Sequence, residues 1–246
     1  MSEALLIKDK EIAVPGEIIA QGMGFVPNKG VFRDGDVLVA SKLGMVSVEG
    51  KVVKLIPLSG KYIPKAEDKI ICQMTDVLLT GWRVDTNSPY SAVLNLKDAT
   101  NEFVARGADL TQYFALGDWI VCKVTNVTSQ KLVDISTRGP GLHKLQGGRM
   151  VEVNAYKVPR IIGKDASMIS LIKNATGCEI IVGQNGLVWL HGAPSQELIA
   201  AEAIKKIEAE AHLPGLTDRM VDFLKQKTGK TPTMNEQHQT TEGSES

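Results

Sequence analysis

The spacing of apolar residues changes character along this chain, and the changes mark out its domains. Between Leu5 and Ile56 the apolar residues come in short β-branched runs, at 18–20, 37–40, 45–48 and 52–56. Turn formers separate them: Pro15 and Gly16, Asn28 to Gly30, Asp34 to Asp36, Glu49 and Gly50. Runs of that length between glycine-bearing turns predict strands, and no helical period is kept. A small N-terminal β domain is expected over residues 1–64, closed by the breakers Pro57, Gly60 and Pro64.

A second strand series follows, at 69–77, 81–85, 92–96, 118–127 and 131–136. Five strands without a long helix suit a small closed barrel, which leaves no exposed sheet edge; this domain is expected over 65–138. Beyond the cluster Gly139, Pro140, Gly141, Gly147 and Gly148 the period shifts again. Met168, Leu171 and Ile172 fall at i, i+3 and i+4, the spacing of an amphipathic helix. Residues 179–182 and 187–191 alternate across Gly183, Gln184, Asn185 and Gly186, whose Asn-Gly pair is a strong hairpin signal. A helix is predicted over 194–212, with Ala200, Ile204, Ile207 and Ala211 on one face and Pro194 in its first turn. The order β, helix, helix, β, β, helix gives an α+β domain over 148–213. Leu216, Met220, Phe223 and Leu224 predict one more short helix, and 225–246, nearly devoid of apolar residues, a disordered tail.

Composition narrows the function classes. Of 246 residues, 43% are hydrophobic and 23% charged, an ordinary globular balance. No run approaches the roughly 18 apolar residues of a membrane span, and Glu3, Lys8, Asp9, Lys10 and Glu11 leave no signal-peptide core, so a cytoplasmic location without membrane contact is expected. The 28 basic residues balance 28 acidic ones. An RNA-binding role would therefore rest on local patches or on several copies in an assembly. Cys72, Cys122 and Cys178 are far apart in apolar runs, which predicts core thiols rather than a zinc site or disulfides. The acidic pairs Asp34 with Asp36 and Glu67 with Asp68 fit turn chemistry, and His143, His191, His212 and His238 lack ligand spacing. No catalytic constellation, metal site or cofactor is expected.

Two segments carry family motifs. Gly81, Trp82, Arg83, Val84 and Asp85, then Gly117, Asp118, Trp119 and Ile120, then Val133, Asp134, Ile135, Ser136, Thr137 and Arg138 resemble an S1 domain. Trp82 stands in its aromatic slot, and Asn95 stands where many S1 domains carry histidine. Such an OB-type barrel offers stacking and basic groups to single-stranded RNA. Arg160, Ile161, Ile162, Gly163, Lys164, Asp165 and Ala166 resemble the loop of a type I KH domain, which clamps an RNA backbone between two helices. Its second glycine is replaced by Ala166, which should weaken that clamp.

The order N-terminal β domain, S1, KH resembles the RNA-binding cap subunit of the archaeal exosome, the ribosomal-RNA-processing protein four family. Val14, Pro15 and Gly16, the run from Gly30 to Gly35, the run from Pro57 to Pro64, and Gly183, Asn185 and Gly186 all match it. The resemblance implies a non-catalytic subunit, three per hexameric ring of phosphorolytic ribonuclease subunits, docked through the N-terminal domain. It would feed RNA 3′ ends, preferentially adenine-rich, into the ring, and could share the complex with a zinc-ribbon cap subunit. The implied RNA contacts are Arg83, Lys97, Arg106, Lys123, Arg138 and Trp82 on the barrel and Lys164 in the KH loop. Gly183, Asn185 and Gly186 would pack against the barrel. Core burial of Trp82 and Trp119, and solvated surface roles for Lys123 and Arg138, are the competing readings of those side chains. A free-standing S1/KH factor of translation or transcription is the alternative function.

Overall fold

The computed structural model describes residues 3–100, 105, 107–211, 213 and 215–229. They fall into two units, Met1–Gly60 and Lys61–Ser246. In the first, the predicted runs form two four-stranded sheets, one ordered Ala4–Leu5, Ile18–Gln21, Val37–Ala40, Val31–Asp34 and the other Ile12–Ala13, Gly44–Glu49, Val52–Pro57, Val26–Pro27. Ala13, Ile19, Leu38, Val46 and Val53 are fully buried between them.

In the second unit the stretch that follows the breaker Gly60 is partly structural. Tyr62 is buried in the barrel core and its hydroxyl donates to Asp68 at 2.5 Å. Burial and the neighbouring carboxylate push that hydroxyl's pKa far above its usual range. The barrel strands are β1 (Lys69–Leu78), β2 (Gly81–Asp85), β3 (Ser91–Asn95), β4 (Trp119–Val127) and β5 (Val133–Ser136), with a short helix α1 (Leu96–Ala99) after β3. The first half of β1 pairs with β4 and the second half with β2, while β5 closes the barrel by pairing with both β3 and β4. Alternation directs Ile70, Cys72, Met74, Trp82, Val84, Leu94, Ile120, Cys122 and Ile135 inward. Cys72 and Cys122 lie 3.4 Å apart as free thiols, and burial raises the Cys72 thiol pKa. The third strand ends one residue earlier than predicted: Leu96 turns into α1, its N–H bonding Thr80 carbonyl at 3.0 Å.

The α+β domain comprises β6 (Arg149–Glu152), α2 (Val158–Ile162), α3 (Ser167–Thr176), β7 (Glu179–Val182), β8 (Leu187–His191) and α4 (Pro194–Glu210), with a further helix α5 (Leu216–Thr228). Its antiparallel sheet has the order β6, β8, β7. One sheet face, with Val151, Ile180, Val188 and Leu190, meets α2 to α5 in a core. Leu216, Met220 and Leu224 bring α5 into it. Residues 225–228, predicted as the start of a disordered tail, instead continue α5, with Lys227 paired to Glu202 at 2.8 Å and Gly229 as the left-handed cap. The rest of that tail lies outside the described residues. Among the described residues no helix is long and apolar enough to cross a membrane.

Candidate nucleic-acid interface

Strand register decides which side chains share a surface. On the outside of β2 and β3, Arg83 lies opposite Val93 and Gly81 opposite Asn95. Arg83 is exposed and only loosely paired, its Nη1 standing 3.9 Å from Asp76 Oδ2. Gly81 must be bare, because a Cβ there would sit 2.2 Å from the Leu94 carbonyl oxygen. Lys97 projects from α1 into solvent. Arg138, just past β5, donates through Nη2 to the Thr100 carbonyl. Ser136 Oγ and Thr137 N bond the Asp98 carbonyl at 3.1 and 3.0 Å. Arg83, Lys97 and Arg138 therefore gather about β2, β3 and α1.

Two other predicted contacts do not join them. Lys123 sits on β4 opposite Lys69 and Ser136, and its ammonium is 2.5 Å from Glu67 Oε2. Arg83 faces Asp76, seven residues further along β1 than Lys69, or roughly 23 Å for an extended strand. The expected aromatic platform needs correction: Trp82 is 0% exposed. Its ring packs edge-on against Phe114 at 5.2 Å, and Nε1 donates to the Phe114 carbonyl at 2.9 Å. The indole is thus core and offers no face to a base, as expected where inward strand positions have a polar partner in reach. Arg106, His212 and His238 lie outside the described residues.

In the loop between α2 and α3, Gly163 takes φ +76°, and a Cβ would meet Met168 N at 2.7 Å. Asp165 and Ala166 are both left-handed, at φ +50° and +60°. The backbone of a two-glycine loop is kept at Ala166 at a cost of about 1 kcal/mol. Lys164 is exposed there.

The turn joining β7 to β8 lies against the barrel. Asn185 is buried, and its amide accepts from Ile71 N at 3.3 Å and donates to Ile71 O at 2.7 Å and Thr86 O at 2.8 Å. Gln184 N reaches Lys69 O at 2.9 Å, and Asn87 Nδ2 reaches Asn185 O at 3.3 Å. A Cβ on Gly183 would stand 2.4 Å from Asn185 Oδ1, and one on Gly186 2.2 Å from Val153 O, so neither position admits a side chain. Around the turn, Ile71, Val121, Leu145, Leu187 and Trp189 form a separate apolar cluster. Sequence reading missed Ile71 and Val121 as contact residues. The signal was present: Ile70, Ile71, Cys72 and Ile120, Val121, Cys122 are unbroken apolar triplets, the mark of strands buried on both faces.

Among the described residues no group of His, Cys, Asp and Glu is placed to hold a metal ion. The barrel and α+β domain thus form one braced unit, with Arg83 and Lys97 exposed on the barrel.

The KH domain family model matches residues 148–196. The chain is 41% identical over 224 residues to the exosome complex component Rrp4 of Thermococcus kodakarensis, covering 89% of this chain and 87% of that one. It is 40% identical over 221 residues to the Rrp4 of Methanothermus fervidus, covering 89% and 97%. With the Rrp4 of Thermoplasma acidophilum it shares 40% identity over 222 residues, covering 90% and 92%. A crystal structure described as an exosome complex RNA-binding protein superposes with a TM-score of 0.63 at 34% identity, covering 68% of this chain and 97% of that one.

Proposed function

The chain belongs to the Rrp4 family of exosome complex components, and from that premise we propose that it serves the exosome as a non-catalytic, RNA-binding cap subunit. The observation that carries this reading is similarity to those components along 89% of the chain. The barrel is read as an S1 domain, and Arg83, Lys97, Arg138 and Arg106 as its phosphate contacts. Arg83, Lys97 and Arg138, exposed on the barrel, supply counter-charge without making the whole protein basic. Bonds in the RNA are cut by other subunits.

The N-terminal unit is read as the anchor on a hexameric ribonuclease ring carrying three such caps. Two outward apolar rows on it support this. Ile12, Met45 and Ile56 are paired across one sheet, and across the other the exposed Ile18 and Phe32 flank Val39, itself buried. Ile12 is 60% exposed and Phe32 47%. Rows of this kind mark contact surfaces when they face water in the free chain. A preference for adenine-rich 3′ ends, a cytoplasmic location and company with a zinc-ribbon cap subunit complete the proposal.

The test is co-purification from native extract together with an RNA-shortening assay. Ribonuclease ring subunits should accompany the chain in fixed ratio, and the isolated chain should leave a labelled RNA intact with or without phosphate and magnesium. A monomer that binds RNA without a ring would favour the free-standing factor, and phosphate-dependent shortening by the pure chain would refute the non-catalytic role.

A further inference from the structure

We propose that Asn185 is a deamidation site gated by the contact between the KH domain and the barrel. While the β7–β8 turn is docked its amide is protected. When the turn lifts away the amide is hydrolysed, and the turn cannot dock again.

Asn185 and Gly186 are the chain's one Asn-Gly pair. In a mobile chain such a pair is labile, because no Cβ on the second residue obstructs the approach of its backbone nitrogen to the amide carbon. Gly186 N loses its proton and bonds to Asn185 Cγ. The Cγ–Nδ2 bond then breaks, ammonia leaves, and a cyclic succinimide remains. Water opens that ring at either of its carbonyls, giving aspartate or isoaspartate. One water is consumed and one ammonia released, with no change of oxidation state.

The docked turn holds back each participant. Gly186 N–H donates to the Gly183 carbonyl at 3.1 Å. The leaving nitrogen, Nδ2, donates to Ile71 O and Thr86 O, and Oδ1 accepts from Ile71 N. Asn185 is 1% exposed, so the water needed to open the ring is excluded. The same packing dictates both members of the labile pair. Gly186 sits at φ +83°, and a Cβ there would stand 2.2 Å from Val153 O. Position 185 has to serve the N–H and the carbonyl of one residue, Ile71, which takes a donor and an acceptor on one short side chain.

Neither product can restore the brace. Aspartate has no donor for Ile71 O or Thr86 O and sets a negative charge beside both carbonyls. Isoaspartate routes the main chain through its Cβ, which adds a backbone atom to a turn of four residues. The reaction is therefore one-way, an irreversible loss that follows a reversible opening.

The experiment follows deamidation at position 185 by peptide mass mapping of the full chain, at mildly alkaline pH, in buffer and in concentrated guanidinium. Docking and undocking are fast against this chemistry, so the rate in the folded chain is the denatured rate multiplied by the fraction of time the turn is open. Expected is a folded-state rate at least roughly a hundredfold below the denatured one. Val121→Ala, which thins the apolar cluster around the turn, should raise the folded-state rate roughly tenfold. If that variant does not fold, guanidinium below the unfolding midpoint serves instead, and the wild-type rate should climb with its concentration. Chains deamidated at 185 and returned to buffer should unfold at a lower midpoint than unreacted chains treated alike, the aspartate form matching Asn185→Asp. Equal rates in buffer and denaturant, no reaction at 185 in denaturant, or a deamidated chain as stable as the unreacted one would each overturn the proposal.

Discussion

Asn185, in the turn between β7 and β8, holds the backbone of Ile71 by both its carbonyl and its N–H, at 2.7 and 3.3 Å. Ile71 lies in the first half of β1, before β2 begins to pair at Gln73. The Asn185 amide there takes the place of a neighbouring strand for an edge that β2 leaves uncovered. Replacing Asn185 by Ala strands buried polar groups of Ile71 and Thr86, at about 1–3 kcal/mol each. The expected loss is about 2–5 kcal/mol in unfolding of the barrel and KH unit, with Asn185→Asp no milder because it sets an anion beside two carbonyls. Thermal or urea unfolding of each variant checks this, and a loss under about 0.5 kcal/mol would show that the apolar cluster alone holds the domains together.

Phosphate contacts should separate by pairing state. Arg83 and Lys97 are exposed and loosely engaged, whereas Lys123 is held by Glu67. Changing Arg83 and Lys97 together to Ala should lower the salt slope of RNA binding by about two units, and Lys123→Ala by well under one. Arg83→Ala with Arg106→Ala should likewise weaken oligo(A) capture more than Lys164→Ala. Titrations at 50 and 200 mM salt decide it; a larger loss from Lys164→Ala would move the working surface to the KH loop.

Ala166 invites the opposite kind of change. Its backbone is already left-handed, so Ala166→Gly relieves strain of about 1 kcal/mol while adding a similar entropy to the unfolded chain. Stability should stay nearly constant, and RNA affinity should rise as the backbone becomes approachable. Lys164→Ala should then become costly in the Ala166→Gly background. Affinity measured across this double-mutant cycle checks the coupling, and additive effects would mean the loop does not meet RNA.

The two units have separate cores, so removing residues 1–60 should leave the second unit folded and cooperative. Ring association should be lost. Ile12→Lys with Ile56→Lys, both at outward positions, should weaken association without lowering the unfolding temperature by more than a few degrees. Size-exclusion chromatography with ring subunits measures both, and a truncated chain that still co-elutes would place the anchor elsewhere.

What the sequence determined by itself was periodic and local. Alternation fixed the barrel strands to within two residues, the fifth beginning at Val133 rather than 131, and glycine and asparagine fixed the β7–β8 turn, because a two-residue period and a left-handed turn leave direct marks on residue type. The motif order was enough to reach the family. Tertiary structure alone decided which faces were occupied. Alternation says that Trp82 and Arg83 point to opposite sides, but only barrel closure put Trp82 inside, against Phe114, thirty-two residues away. The availability of Lys123 depended on Glu67, and that of Arg138 on Thr100. Ile71 and Val121 are outward by period yet buried, because the KH sheet covers them. Charge and exposure are sums over neighbours in space, and those neighbours are set by strand pairing and domain contact that local spacing does not encode.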